Sequence, residues 1–210
     1  MHEIFLTAFA TFFATIGPLD VAVVFASLTG DQSPKERTSS ALKGFLIGTG
    51  ILFIFVLFGE AVLNLFGISL AALRIGGGVL LMLIAIDLVF ARSSGASSTT
   101  QDETKEAEAK SDISIFPLAT PLIAGPGAMG AVVLLMADAD GNLIDTAMVI
   151  GGLVAVLVMT LVCMLLASQI QKVLGQIGVH VIARVFGVIL AALAAQFVLD
   201  GLAQSPLFAK

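Results

Sequence analysis

Tryptophan and tyrosine are absent from this chain of 210 residues, histidine occurs twice and cysteine once. Without Trp or Tyr, the aromatic belt usual in membrane proteins has to be replaced by the fifteen Phe residues and by charged loops. The lone Cys163, in the apolar run LVCML, excludes an intrachain disulfide, matches no metal-ligand spacing and reads as core. His2 is terminal and His180 falls in a connector, so no His-based metal or nucleophile constellation exists. No Ser-His-Asp arrangement, phosphate loop or nucleotide fingerprint occurs either. Enzyme chemistry, a cofactor, a metal and a nucleic-acid partner are therefore not expected. Charge is scarce as well: 12% of residues are charged and 58% hydrophobic, with mean hydropathy +1.08, against about a quarter charged in soluble domains. This composition is that of an integral membrane protein. The net charge of -5 implies no basic partner, because Asp102, Glu103, Glu106, Glu108 and Asp112 crowd into one polar connector.

A basic region is missing from the amino terminus, MHEIFLTAFATFFATIG, and its apolar run outlasts a signal-peptide core. It is expected to remain as the first spanning helix. Six apolar segments near the ~20-residue spanning length run approximately from Ile4 to Leu28, Leu42 to Phe66, Ser69 to Ala91, Ile113 to Met136, Asp145 to Ile170 and Val179 to Leu202. The polar, low-complexity stretch from Arg92 to Asp112 cannot bury a face and reads as an extramembrane linker. The expected organisation is a first three-span repeat over 1–91, a cytoplasmic linker over 92–112 and a second three-span repeat over 113–210.

The halves repeat. Gly17-Pro18 matches Gly125-Pro126, and GISLAALRIGGGVLLMLIAIDLV from Gly67 resembles GVHVIARVFGVILAALAAQFVLDGL from Gly178, with Arg74 and Arg184 near the start of each. An odd number of spans per half makes the second copy enter the membrane from the opposite side, the inverted-repeat architecture of transporters. Lys35, Arg37, Lys43, Arg92, Lys105, Lys110, Lys172 and Arg184 fall in the first, third and fifth connectors, with only Arg74 and Lys210 opposite. By the positive-inside rule both termini face outward. The fourth connector, ADADGNLID, begins like a calcium loop but lacks its remaining ligands.

The stretch FPLATPLIAGPGAMG, from Phe116 to Gly130, sets Pro117, Pro121 and Pro126 inside apolar sequence. Each proline removes a backbone donor and clashes with the preceding turn, so the fourth span must break, and Gly17-Pro18 breaks the first more weakly. Such backbone survives in hydrocarbon only where protein or a water-lined cavity covers it. If Pro126 opens a half-helix, the amides of Gly127, Ala128 and Met129 lack intrahelical partners and suit an anionic group. The first copy differs in carrying Asp20 where the second has Ala128. A zwitterion is the ligand this pair suits, its ammonium on Asp20 and its carboxylate on the amides after Gly125. The competing reading is that Asp20 only satisfies its own helix start. Thr15, Thr120 and Thr11 add hydroxyls near the breaks, although such residues often bond their own backbone. Arg74 and Arg184 are expected to snorkel to the interface, the alternative being that they gate the pathway. Glycines at Gly44 and Gly48, Gly76 to Gly78, and Gly151-Gly152 are expected to serve close helix packing, with a moving hinge as the alternative. Glu60, Asp87 and Asp200, near segment ends, read as headgroup-level charges.

FPLATPLIAGPGAM, GISLAALRIGGGVLLMLIAIDLV and IARVFGVILAALAAQFVLDGL together resemble the hallmark segments of the MarC family of six-span membrane proteins, which includes the SnatA-type neutral amino-acid transporters. The resemblance covers nearly the whole chain outside the linker and the acidic loop. It implies a bacterial or archaeal plasma-membrane location and movement of small neutral amino acids such as glycine and alanine. Members often have Asp or Asn before the first proline and Gly-Asn or Ala-Asn soon after it, whereas Gly17 precedes Pro18 here and Leu19-Asp20 follows.

The expectation is an all-α bundle of six spans in two inverted three-helix repeats with broken first and fourth helices. It would move glycine, alanine, serine or threonine by alternating access, as an exporter or exchanger. The site residues are Thr15, Gly17, Pro18, Asp20, Thr120, Gly125, Pro126, Gly127 and Ala128. Coupling to a proton or Na+ and homo-oligomerisation stay open. The alternatives are transport of another small metabolite or drug, and a non-transporting membrane scaffold or sensor.

Overall fold

The computed structural model describes residues 2–30, 32–90 and 113–205, so the expected linker over 92–112 lies outside the described residues. The described chain is all helical, in the order α1 (His2–Ile16), α2 (Pro18–Leu28), α3 (Pro34–Phe66), α4 (Leu70–Phe90), an irregular segment Ser114–Ile123, α5 (Pro126–Asp138), α6 (Leu143–Leu165) and α7 (Ala167–Gln204). Five helical stretches are long and apolar enough to cross a membrane, with a sixth if Ser114–Ile123 and α5, bent by 50°, form one broken span.

Two elements outrun the hydropathy pattern. α3 starts eight residues before Leu42, at Pro34, where Ser33 and Glu36 make a reciprocal cap: Ser33 N donates to Glu36 Oε2 at 2.8 Å and Glu36 N to Ser33 Oγ at 3.4 Å. Lys35, Arg37 and Lys43 thus sit on a helix rather than in a connector. α7 likewise begins at Ala167 and runs 38 residues, which places His180 and Arg184 within it and corrects the expected connector there. Hydropathy records where lipid ends, and a helix needs a capping or breaking residue to end.

The core gathers Ala8 and Phe12 of α1, Leu52 of α3, Leu118 of the irregular segment, Leu134 of α5 and Leu153 of α6, all at or below 1% exposure. Leu46, Ile54, Leu57 and Phe58 of α3, Val79, Leu80 and Leu83 of α4, and Val181, Val185 and Val188 of α7 are exposed. Apolar exposure on this scale marks a lipid-facing surface. α4 and α7 form the most extensive helix pair. A Cβ on Gly78 would lie 2.8 Å from Ala194 O and Val198 Cγ2, and one on Gly187 2.9 Å from Leu88 Cβ, so close approach explains both glycines. Lower numbers on α4 meet higher numbers on α7, which makes the pair antiparallel. α3 packs chiefly on the irregular segment and α5, while α6 packs chiefly on α1 and α2. Each half therefore covers the interrupted span of the other.

Candidate functional site

At the first break Gly17 adopts φ 63° and ψ 65°, a left-handed conformation that glycine reaches without steric cost. Helical bonding continues on both sides: Gly17 N donates to Phe13 O and Val21 N to Gly17 O, both at 2.9 Å. α1 and α2 stay aligned enough to count as one span, His2–Ala26. Pro18 is buried at the first position of α2, where its missing N–H costs nothing.

The second break is longer. Phe116 (φ -131°, ψ 125°) and Thr120 (φ -136°, ψ 123°) are extended, as residues preceding proline tend to be, and both X-Pro bonds are cis. Wide turns close with Leu118 N donating to Ile113 O at 3.2 Å and Ala124 N to Ala119 O at 2.9 Å. This irregular backbone lies against α3, where a Cβ on Gly48 would come within 2.7 Å of Ile123 Cγ2. It is thus covered by protein, as non-helical backbone at membrane depth must be. Gly125 is extended (φ -79°, ψ 166°), Pro126 opens α5, and Met129 N donates to Gly125 O at 3.0 Å. That bond corrects the expectation for Met129. The amides of Gly127 and Ala128, both buried, precede the first bonded turn and are the ones left over.

At 1.5 Å per residue, the 11 residues of α2 and the 13 of α5 extend about 16 and 20 Å from their breaks.

Asp20 does not cap its helix start, since the Gly17 amide is taken by Phe13 O. Its Oδ2 lies 3.1 Å from where a Gly17 Cβ would be, and no hydrogen bond or ion pair holds it among the described residues. His180 of α7 is near enough to act on its charge. A cavity of only about 10 Å³, walled by Phe13, Ala14, Leu88, Ile182 and Phe186, adjoins Gly17 and Asp20. The Phe13 and Phe186 rings meet there with centroids 3.9 Å apart. No described cavity is walled by both breaks. Thr15 Oγ1 donates to Thr11 O at 2.8 Å, the self-bonding alternative. Thr120 is half-buried. Among the described residues no group of His, Cys, Asp and Glu could hold a metal.

Arg74 departs from expectation. It is 8% exposed, not snorkelling, and its Nε donates to Asp138 Oδ1 at 2.8 Å while the guanidinium also bonds Gln204. The sequence flagged Arg74 and Asp138 separately, and only the fold joins them, by bringing α4 against the ends of α5 and α7. Arg184 is exposed. Asp200 accepts from Gln196 Nε2 at 2.8 Å.

Residues 2–205 match the family model described as MarC family integral membrane protein. The chain belongs to the MarC family. It is similar to a UPF0056 membrane protein of Methanocaldococcus jannaschii, 36% identical over 95% of this chain and 96% of the relative. It is also similar to the UPF0056 membrane proteins YvbG of Bacillus subtilis (35% identical over 96% and 95%) and YhcE of Escherichia coli (31% over 95% and 92%). No solved structure matches it. This MarC protein is thus a multi-pass integral membrane protein with relatives in bacteria and archaea.

Proposed function

We propose that this MarC protein is a secondary transporter, and not an enzyme, that exports or exchanges small neutral amino acids such as glycine, alanine, serine and threonine. The observation that carries the reading is the pair of unlike breaks, each opening a half-helix at a Gly-Pro pair. One presents the unbonded amides of Gly127 and Ala128 at a helix N-terminus, the other a carboxylate on Asp20 that no hydrogen bond or ion pair holds among the described residues, with His180 near enough to act on its charge. A carboxylate at a helix centre costs about 2.5 to 3.5 kcal/mol on insertion scales, and a bound ammonium offsets that cost. Amides that begin a helix take a carboxylate well. A small zwitterion supplies both charges.

Six spans in two inverted repeats is the architecture we assign to it. In support, α3 covers the second break as α6 covers the first, and the antiparallel contacts of α4 with α7 are reciprocal, Gly78 on Val198 and Gly187 on Leu88. Lys35, Arg37 and Lys43 gather at the start of α3, and Lys172 near the start of α7. The positive-inside rule then places these ends in the cytoplasm and both termini outside the plasma membrane. With Asp20 near the first break, alternating access proceeds by rocking one repeat against the other, and the present state is occluded because the cavity beside Asp20 is too small for an amino acid.

The test is counterflow of labelled glycine, alanine, serine and threonine in proteoliposomes. Saturable exchange of any of them is expected. Exchange of none contradicts the reading and leaves another small metabolite or a scaffold role.

A further inference from the structure

At the end of the bundle where α1 begins, an open cavity of about 150 Å³ lies between α1, α5 and α6, with Thr7, Leu135, Asp138 and Asp145 in its wall. One turn deeper on α1, Thr11 is 0% exposed and its Oγ1 has no hydrogen-bond partner. Buried hydroxyls are normally satisfied, above all in hydrocarbon. Thr15 follows after another turn, two residues before Gly17. Spacing by four puts the three threonines in one row on the helix, leading from the cavity to the first break. α5 packs against α1 along this bundle, and its end is fastened by the Arg74 contacts to Asp138 and Gln204, which reach across 64 and 130 residues of sequence.

We propose that the Thr7, Thr11 and Thr15 row is the closed outer half of the substrate path, and that Arg74, Asp138 and Gln204 form the gate holding α5 over it. The proposal rests on the transporter reading. A hydroxyl without a partner in this conformation gains one when water or a ligand enters, which accounts for Thr11. Asp138 and Asp145 at the mouth favour a solute bearing an ammonium group. α5 carries the gate at one end and the Gly127 and Ala128 amides at the other, so releasing Asp138 lets one rod uncover the path and shift the site together. At the opposite end of the bundle Arg184 is exposed and makes no ion pair with a described residue.

Accessibility of a reporter thiol tests this without any transport. In a Cys163→Ala background, Thr7→Cys and Thr11→Cys proteins are purified and exposed to a charged, impermeant maleimide. Thr7→Cys is expected to react readily whatever the state of the gate. Thr11→Cys is expected to react at least tenfold faster when Arg74→Gln or Asp138→Asn is added, and slowly again in the exchanged pair Arg74→Asp with Asp138→Arg. Arg184→Gln is expected to leave the rate unchanged. An unchanged Thr11→Cys rate in both gate variants overturns the proposal, as does equal acceleration by Arg184→Gln. In a parallel set of gate variants that keep Cys163 and carry no introduced cysteine, Cys163, buried in α6, reports general loosening: a gate variant in which it reacts counts against a gate. Gated labelling without amino-acid exchange would sink the transport reading alone, whereas exchange with ungated labelling would sink the gate alone.

Discussion

The two breaks begin with the same Gly-Pro pair and end in half-helices of similar length, yet they interrupt the bundle differently. Gly17 does so with one left-handed residue and leaves α1 and α2 in line. Gly125 comes after ten residues wound around Pro117 and Pro121, with a 50° bend. Both half-helices begin with the same bond, Val21 N to Gly17 O and Met129 N to Gly125 O, so the copies differ in the irregular stretch that precedes the second and in the carboxylate that Asp20 adds to the first. The second copy lacks the carboxylate that Asp20 gives the first, and the proposed zwitterion site rests on that difference.

The strongest way to break this comparison is to make the copies alike in charge. Asp20→Asn is expected to lower alanine exchange at least a hundredfold in proteoliposomes, while its thermal midpoint stays equal to or above that of the parent, because a carboxylate held by no hydrogen bond or ion pair among the described residues has been removed. A helix cap would behave otherwise, its loss costing about 0.5 to 2 kcal/mol. Changing the ligand probes the other break. Alaninamide keeps the ammonium but loses the carboxylate, and it should compete with alanine about ten- to a hundredfold less well, corresponding to charge-assisted bonds of about 1.5 to 3 kcal/mol. Equal competition would remove the Gly127 and Ala128 amides from the site. Gly17→Ala should destabilise by about 1 to 2 kcal/mol, the penalty of a left-handed residue with a Cβ, read as a fall in melting temperature. Smallest is Thr15→Val, which deletes the bond to Thr11 O and should cost about 0.6 kcal/mol, the average for such bonds in membranes.

Both breaks were legible in the sequence because proline and glycine act locally, through a missing donor and a permitted φ. Asp20 was legible as an oddity in the apolar run, but whether it capped α2 depended on Phe13 O having already taken the Gly17 amide. Arg74 was misread for a different reason. An arginine near the start of an apolar segment can turn toward water or inward with equal ease, and its partners Asp138 and Gln204 become neighbours only when α4 packs on α5 and α7. The true lengths of α3 and α7 were hidden because polar residues such as Lys35 and Lys172 end a hydrophobic run without ending a helix.

The most direct measurement is a structure determined with alanine bound. The carboxylate should accept hydrogen bonds from Gly127 and Ala128 at about 2.7 to 3.2 Å, with the ammonium within about 4 Å of Asp20, close enough for the charges to favour one another. Alanine lodged away from either break, or bound with its ammonium out of reach of Asp20, would contradict the account.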